Sequence, residues 1–217
     1  ERIAKEICAQ CNPLDYLEAY LHHGYYPFFL ERRNFSENLL KTMNMMMEVD
    51  VLLIYQMEQK NLNRLKKLFF LLALNGTGAP NVSQLATEVQ TSRTTIMNYI
   101  KFLTDARLLT MVYRKGDEYP KKPVRLLLNN TNLMHVMTPG RVDRQDMMET
   151  FFQNAMCGQH KVSMGDRSST FILDGKHRFR ILDEVPKRKA TDVIYVCTDK
   201  KEGEGQEIPL WMFGLVY

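Results

Sequence analysis

Apolar residues recur at helical spacing through the first quarter of the chain. A stripe with i, i+3, i+7 spacing follows a proline that suits the first turn of a helix, with residues Pro13, Leu14, Leu17 and Leu21. Gly24 ends this helix, and a second helical pattern covers residues 35–57. Its methionine cluster, Met43, Met45, Met46 and Met47, favours either core filling or an adaptable docking surface. Residues 1–58 are therefore predicted to be helical.

The next segment shows three helical patterns followed by two β patterns. Residues 61–75 are a strongly apolar helix, which the glycine- and proline-containing run 76–80 breaks. Asn81 caps a short helix, and Ser92 caps a third helix after a tight turn. Residues 108–113 and 123–128 have the pattern of strands, joined by a polar loop. This order is typical of a winged helix-turn-helix, predicted over residues 59–128.

The pattern changes again after residue 128. Helices are predicted over 133–137 and 144–156, and strands over 169–174, 178–182 and 192–197. Asp174 and Gly175 are a hairpin signal, from which we expect a two-residue turn with Asp174 opposite His177. The fold class is thus mixed α and α/β, and residues 129–217 form a third, α/β domain.

Composition and cysteine usage limit the functional classes. Of the 217 residues, 45% are hydrophobic and 25% are charged, which is typical of a globular protein. The longest apolar runs, such as 68–74, are far shorter than the roughly 20 residues that span a bilayer, so no membrane partner is expected. Cys8 and Cys11 form one C-x-x-C, but no second pair completes a zinc site, and four cysteines without a signal peptide favour the cytoplasm.

The third helix of the helix-turn-helix carries the first candidate site. Its apolar positions leave an opposite face, near its N-terminus, that carries Ser92, Arg93, Thr95 and Asn98. Arginine pairs with guanine edges, asparagine with adenine, and hydroxyl groups with phosphate oxygens. The sequence therefore predicts that this face reads the major groove of duplex DNA.

The loop between the two predicted strands carries the second candidate site. The net charge of the whole chain is only +4, but this segment concentrates cations. Five are basic, namely Arg114, Lys115, Lys121, Lys122 and Arg125, against two acidic residues, Asp117 and Glu118. Such a loop suits the DNA backbone beside the groove. A protein-interaction module with a solvated basic loop is the alternative, and a homo-oligomer is compatible with it.

Several separated blocks, in order along nearly the whole chain, resemble one known family. They are residues 81–89 (NVSQLATEV), 91–106 (TSRTTIMNYIKFLTDA), 122–134 (KPVRLLLNNTNLM), 149–154 (ETFFQN), 171–176 (FILDGK) and 208–214 (IPLWMFG). The chain resembles the C-terminal half of a family of prokaryotic AAA+ ATPases. In that family a P-loop ATPase precedes a winged helix and a domain of unknown function related to restriction-endonuclease-like nucleases.

The resemblance implies that ATP binding belongs to a domain outside this sequence. Residues 1–58 resemble the helical lid that follows the ATPase core, and the N-terminus reads as the middle of a helix, so we expect a piece of a longer protein. No P-loop is present, because Thr170 and His177 stand where the motif around Gly175 and Lys176 needs glycine and a hydroxyl. ATP and Mg²⁺ are expected only on the N-terminal ATPase domain, which is an expected partner, and no cofactor is expected here.

The same resemblance implies a degenerate nuclease site in residues 129–217. Glu149 and Asp174 match the positions of metal-binding carboxylates, but Arg180 stands in place of a glutamate and Glu184 in place of the lysine. We expect Arg180, alone or with Lys176, to pair with Asp174 and no metal to bind. The chain is then a DNA-binding portion without enzymatic activity. Residual metal-dependent cleavage stays open as an alternative, and the basic run 187–189 is a candidate phosphate contact.

Overall fold

The protein is a mixed α/β structure, described from a computed structural model that covers residues 2–31 and 34–216. It divides into two compact units, a central unit, Tyr26–Val142, and a terminal unit that combines Glu1–Tyr25 with Asp143–Tyr217. The three-domain division at 1–58, 59–128 and 129–217 stays a prediction, and the two compact units divide the chain at other points. No helix in the described ranges is both long enough and apolar enough to cross a bilayer.

The central unit begins with a 3-10 turn, Pro27–Glu31, and a long helical segment that changes its winding. Helix α3, Phe35–Met45, continues as a π-helical stretch, Met46–Val51, and a short α4, Leu52–Ile54. The sequence pattern predicts one helix over 35–57 and misses this change. Its buried side recurs every four residues at Leu39, Met43, Met47 and Val51. A four-residue spacing is compatible with both windings, so it carries no signal for the π-helix.

Four further helices and a hairpin complete the central unit. They are α5 Gln59–Leu74, α6 Val82–Val89, α7 Arg93–Asp105, β1 Leu109–Val112, β2 Arg125–Leu128 and α8 Thr131–Met137. The two strands pair antiparallel, with Leu109 opposite Leu128 and Val112 opposite Arg125. The predicted caps are confirmed, because the Asn81 side chain accepts a hydrogen bond from Gln84 N–H and Ser92 accepts one from Thr95 N–H.

The terminal unit packs helices against a five-stranded sheet of order β3-β4-β5-β6-β7. Its elements are α1 Arg2–Gln10, α2 Pro13–His23, α9 Arg144–Met156, β3 Val162–Met164, β4 Phe171–Leu173, β5 His177–Leu182, β6 Val193–Cys197, β7 Glu207–Pro209 and a 3-10 segment Leu210–Leu215. Strands β3, β4 and β5 are antiparallel, whereas β6 and β7 continue the sheet parallel to β5. The predicted helix over 144–156 is confirmed.

Aromatic side chains form the core of the terminal unit. Phe152 of α9 has no exposed surface, and its ring centroid lies 5.8 Å from that of Phe171, 5.2 Å from Phe179 and 4.8 Å from Phe213. These contacts join α9, two strands and the final 3-10 segment. Such edge and offset contacts stabilise a core beyond the area that they bury.

Glycine at position 165 tests how tightly the β3–β4 connection is built. A Cβ at this position would lie 2.2 Å from the carbonyl oxygen of Ser169, so the backbone has to move. We expect Gly165→Ala to lower the free energy of unfolding by about 1–3 kcal/mol, measured from urea unfolding curves. Gly158→Ala is the control, because nothing lies within 4 Å of its added Cβ. Equal stability of the two variants would contradict this account of the connection.

Candidate nucleic-acid interface

Helix α7 buries one face and exposes the other. Ile96, Ile100 and Leu103 have no exposed surface, and they pack within the central unit. Arg93 and Thr94, in the first turn of the helix, are exposed. Neither side chain forms an ion pair or a hydrogen bond with another residue in the part of the chain that the structure describes. The first turn thus presents a guanidinium and a hydroxyl to a ligand.

Two of the predicted contact residues also build the helix terminus. Ser92 Oγ accepts a hydrogen bond from Thr95 N–H at 3.0 Å and lies 2.8 Å from Thr95 Oγ1. Gln90 closes the preceding turn in the left-handed region, with φ of 56°. The cap fixes where α7 begins, and it places the unpaired backbone N–H groups of the first turn beside Arg93.

A hydrogen bond ties the loop between β1 and β2 to α7. The Tyr119 hydroxyl donates to Asn98 Oδ1 at 2.9 Å, and both side chains are half-buried. Asn98 lies on α7 one turn beyond Thr94 and Thr95. Because of this bond, the predicted groove-reading face and the basic loop belong to one surface. No local sequence pattern joins residues 98 and 119, so the sequence alone does not predict a role for Tyr119.

The five predicted cations of the loop differ in their surroundings. Lys121 pairs with Asp117 at 2.6 Å, and this hydrogen bond raises the pKa of Lys121, so its charge persists but is partly offset. Arg125 Nε and Nη2 donate to the carbonyl and hydroxyl oxygens of Thr77 at 2.9 Å and 2.5 Å. The Arg125 guanidinium therefore fastens β2 to the loop after α5.

The remaining three cations, Arg114, Lys115 and Lys122, are exposed. Arg114 and Lys122 make no ion pair or side-chain hydrogen bond with any other described residue. They sit on either side of the Tyr119 contact in the chain. Arg114 and Lys122 are the loop cations most open to a phosphate.

The two carboxylates of the predicted nuclease site lie at opposite ends of β5. Gln145 Nε2 donates to Glu149 Oε1 at 2.6 Å and to the carbonyl of Ile181 at 3.0 Å, which holds Glu149 beside the carboxyl end of the strand. Asp174 lies in the hairpin before β5 begins at His177. His177 and Ile181 are four residues apart on β5, which is about 13 Å at about 3.3 Å per residue. A single metal ion needs its ligands within about 2–2.6 Å, so these two carboxylates do not fit one.

Asp174 has partners other than the one expected for it. Its carboxylate binds His160 Nδ1 at 2.7 Å and Lys161 N–H at 2.9 Å, and the His160 contact is the larger cause of its lowered pKa. The expected Asp174–Arg180 pair is therefore replaced by contacts to the turn before β3. The expected two-residue hairpin is also wrong, since Leu173, not Asp174, lies opposite His177. Leu173 precedes a turn in which Asp174 and Gly175 both have positive φ.

The other two predicted nuclease positions stand apart from Asp174. Arg180 lies within β5 opposite Tyr195 of β6, and Glu184 is exposed after that strand. Within residues 2–31 and 34–216, no group of three or more His, Cys, Asp or Glu side chains is arranged to hold a metal ion. In the basic run 187–189, Lys189 is bound to the buried carboxylate of Glu207, together with Lys200.

One charged cluster near Glu149 had no signal in the sequence. Arg144, at the start of α9, donates to Asp183 at 3.0 Å and to Asp199 at 2.7 Å, which follow β5 and β6. Thr198 also donates to Asp183 at 2.7 Å. The hydrogen bonds that the Asp183 carboxyl accepts from Thr198 and from Arg144 lower its pKa. The cluster fastens the N-terminus of α9 to the carboxyl ends of two parallel strands.

Comparison with known proteins gives one match. A family model described as "Domain of unknown function (DUF8612)" matches residues 14–138, which is more than half of the chain. No curated protein and no solved structure matches.

The lowered pKa of Asp174 makes a testable link to stability. Ionised Asp174 stabilises the fold above the unfolded pKa of about 3.9, and this contribution is lost as the pH falls through the lower folded value. We expect Asp174→Asn to lower the urea midpoint at neutral pH, with the gap from the parent closing below about pH 4. Glu184→Gln is the control, because the exposed Glu184 carboxylate has no described partner. An unchanged urea midpoint at neutral pH would contradict a stabilising role of the Asp174 carboxylate.

Proposed function

The chain belongs to the DUF8612 family, and we propose that its central unit binds duplex DNA as a winged helix-turn-helix formed by residues 59–128. Helix α7 is the recognition helix, and the loop between β1 and β2 is the wing. The observation that carries the proposal is the Tyr119–Asn98 hydrogen bond, which joins a cation-rich loop to the exposed face of a capped helix.

The proposed mode of binding follows from the surroundings of each side chain. The first turn of α7 enters the major groove, where the Arg93 guanidinium reaches a base edge or a phosphate. Ser92 and Thr95 keep the helix terminus in place, and its N–H groups favour a phosphate oxygen. Arg114 and Lys122 contact the backbone beside the groove, whereas Arg125 holds β2 in position through Thr77.

A second candidate function, protein docking, is favoured by one specific observation. Met45, Val49 and Leu53 recur every four residues along the α3–α4 segment and are 59%, 46% and 73% exposed. Exposed apolar stripes of this kind mark interaction surfaces. The occupant that we propose for this candidate is an ATPase domain of the type implied by the sequence resemblance, which would itself hold ATP and Mg²⁺. Duplex binding that is weak and insensitive to salt would favour this candidate over DNA binding.

The recognition helix is tested by removing its unpaired cation. We expect Arg93→Ala to weaken duplex binding by about 1–3 kcal/mol and to reduce the preference for one sequence over another, because a base contact is lost. Fluorescence anisotropy with a panel of labelled duplexes measures both effects. Lys41→Ala is the control, since it removes an exposed cation from α3 that pairs with Glu37. If Arg93→Ala binds every duplex as the control does, α7 is not the reading element.

The wing is tested through the salt dependence of binding. A cation that contacts a phosphate adds about 0.9 to the slope of log affinity against log salt. We expect Lys122→Ala to lower the slope by about that amount for every duplex, and Lys121→Ala to lower it less, because Asp117 already offsets the Lys121 charge. A slope that neither substitution changes would exclude the loop from the interface and would favour the docking candidate.

A further inference from the structure

A cavity of about 260 Å³ lies at the C-terminal end of α7, away from the turn that carries Arg93. Residues of the π-helical stretch, α4 and the last turn of α7 line it. Ligand sites for drug-sized molecules span about 300–1,000 Å³, so this cavity suits a smaller compound. π-Helical turns are rare and are frequently found at functional sites.

The walls of the cavity are largely apolar and include one fixed aromatic pair. The rings of Tyr55 and Phe102 stack with centroids 3.8 Å apart and planes at 23°. The Tyr55 hydroxyl donates to Asp105, which Lys101 also binds, so the ring is held in place. Burial and Asp105 raise the pKa of Tyr55 to about 12, which keeps the phenol neutral at physiological pH. Met46, Val51 and Ile54 supply aliphatic surface beside this pair.

Two opposite charges at the same cavity have no partner within the described residues. Asp50 and Arg107 both line it, both are exposed, and neither forms an ion pair or a side-chain hydrogen bond with another described side chain. The other carboxylate of the cavity, Asp105, is already bound by Tyr55 and Lys101. An unpaired anion and an unpaired cation beside an apolar cavity are complementary to a ligand that carries both charges and an apolar group.

The backbone of Arg107 adds a separate observation. Arg107 follows the end of α7 with φ of 55°, and Leu108 N–H donates to the Leu103 carbonyl, which is the usual closure of a helix by a left-handed residue. Glycine adopts this conformation without strain, whereas a residue with a side chain does so at a cost. The chain thus carries a guanidinium at a position where the backbone alone favours glycine.

We propose that this cavity binds a small apolar zwitterion of the amino-acid class. The apolar group lies against Tyr55 and Phe102, the ammonium group pairs with Asp50, and the carboxylate pairs with Arg107. The proposal does not rest on DNA binding, because it uses the opposite end of α7 and none of the proposed DNA contacts.

Calorimetric titration of the whole chain with L-phenylalanine tests the ligand class. We expect saturable binding that weakens about tenfold or more for phenethylamine, which lacks the carboxylate, and for 3-phenylpropanoate, which lacks the amine. Glycine, which lacks an apolar group, is expected not to bind. The proposal is overturned if L-phenylalanine, L-tyrosine, L-leucine and L-methionine all fail to bind, or if removing either charge leaves the affinity unchanged.

Substitution of the two rim residues tests the site itself. Asp50→Asn and Arg107→Gln should each weaken L-phenylalanine binding about tenfold or more, whereas Lys60→Gln, an exposed cation at the start of α5, should leave it unchanged. Arg107→Gly separates ligand binding from folding, because it should raise the Tm while it lowers the affinity. Unchanged affinity in all three rim variants places the ligand elsewhere and refutes the proposal.

Discussion

The burial of one face of α7 is the constraint on which the central unit depends. Ile96, Ile100 and Leu103 are fully enclosed by α5, α6, β1 and the π-helical stretch, so α7 cannot rotate without opening the core. Everything that α7 offers to a ligand must therefore lie on its remaining face or at its two ends. The N-terminal end carries Arg93 beside unpaired backbone N–H groups, and the C-terminal end carries the Tyr55–Phe102 cavity. One rigid helix thus holds both candidate sites at a fixed separation.

Hydrogen bonds from side chains to distant segments decide which cations remain open to a ligand. The sequence places five basic residues in or beside one loop, and their charges alone do not distinguish them as phosphate ligands. Thr77 engages Arg125 and Asp117 engages Lys121, whereas Arg114 and Lys122 have no such described partner. The two bonds to Thr77 use two of the five N–H donors of the Arg125 guanidinium and hold it against the loop after α5, and each bond to a charged group is worth about 1.5–3 kcal/mol. Arg125 consequently belongs to the scaffold of the loop.

Local signals in the sequence predict several of the longer elements, but not the π-helical stretch, the shortest strands or the contacts between distant segments. The caps at Asn81 and Ser92 and the helix at 144–156 follow from neighbouring residues, and the structure bears them out. The π-helical stretch is not visible, because its buried residues keep the spacing of an α-helix. Strands β3 and β7, with three residues each, are too short for an alternating pattern to identify. The Tyr119–Asn98 and Arg144–Asp183 contacts join segments 21 and 39 residues apart, which no local pattern records.

The carboxylates of the expected nuclease site illustrate the difference between an order of residues along the chain and a site at which side chains converge. A metal centre requires carboxylates whose oxygens meet at one point, and the strand direction of β5 places Glu149 and Asp174 at its two ends. Each is instead engaged locally, Glu149 by Gln145 and Asp174 by His160 and the Lys161 N–H group. Asp174 also has a positive φ, which asparagine and aspartate tolerate better than most residues with a side chain. Its residue type therefore has a sufficient cause in the hairpin, since the backbone conformation and the bonds to the turn before β3 both favour aspartate without any metal.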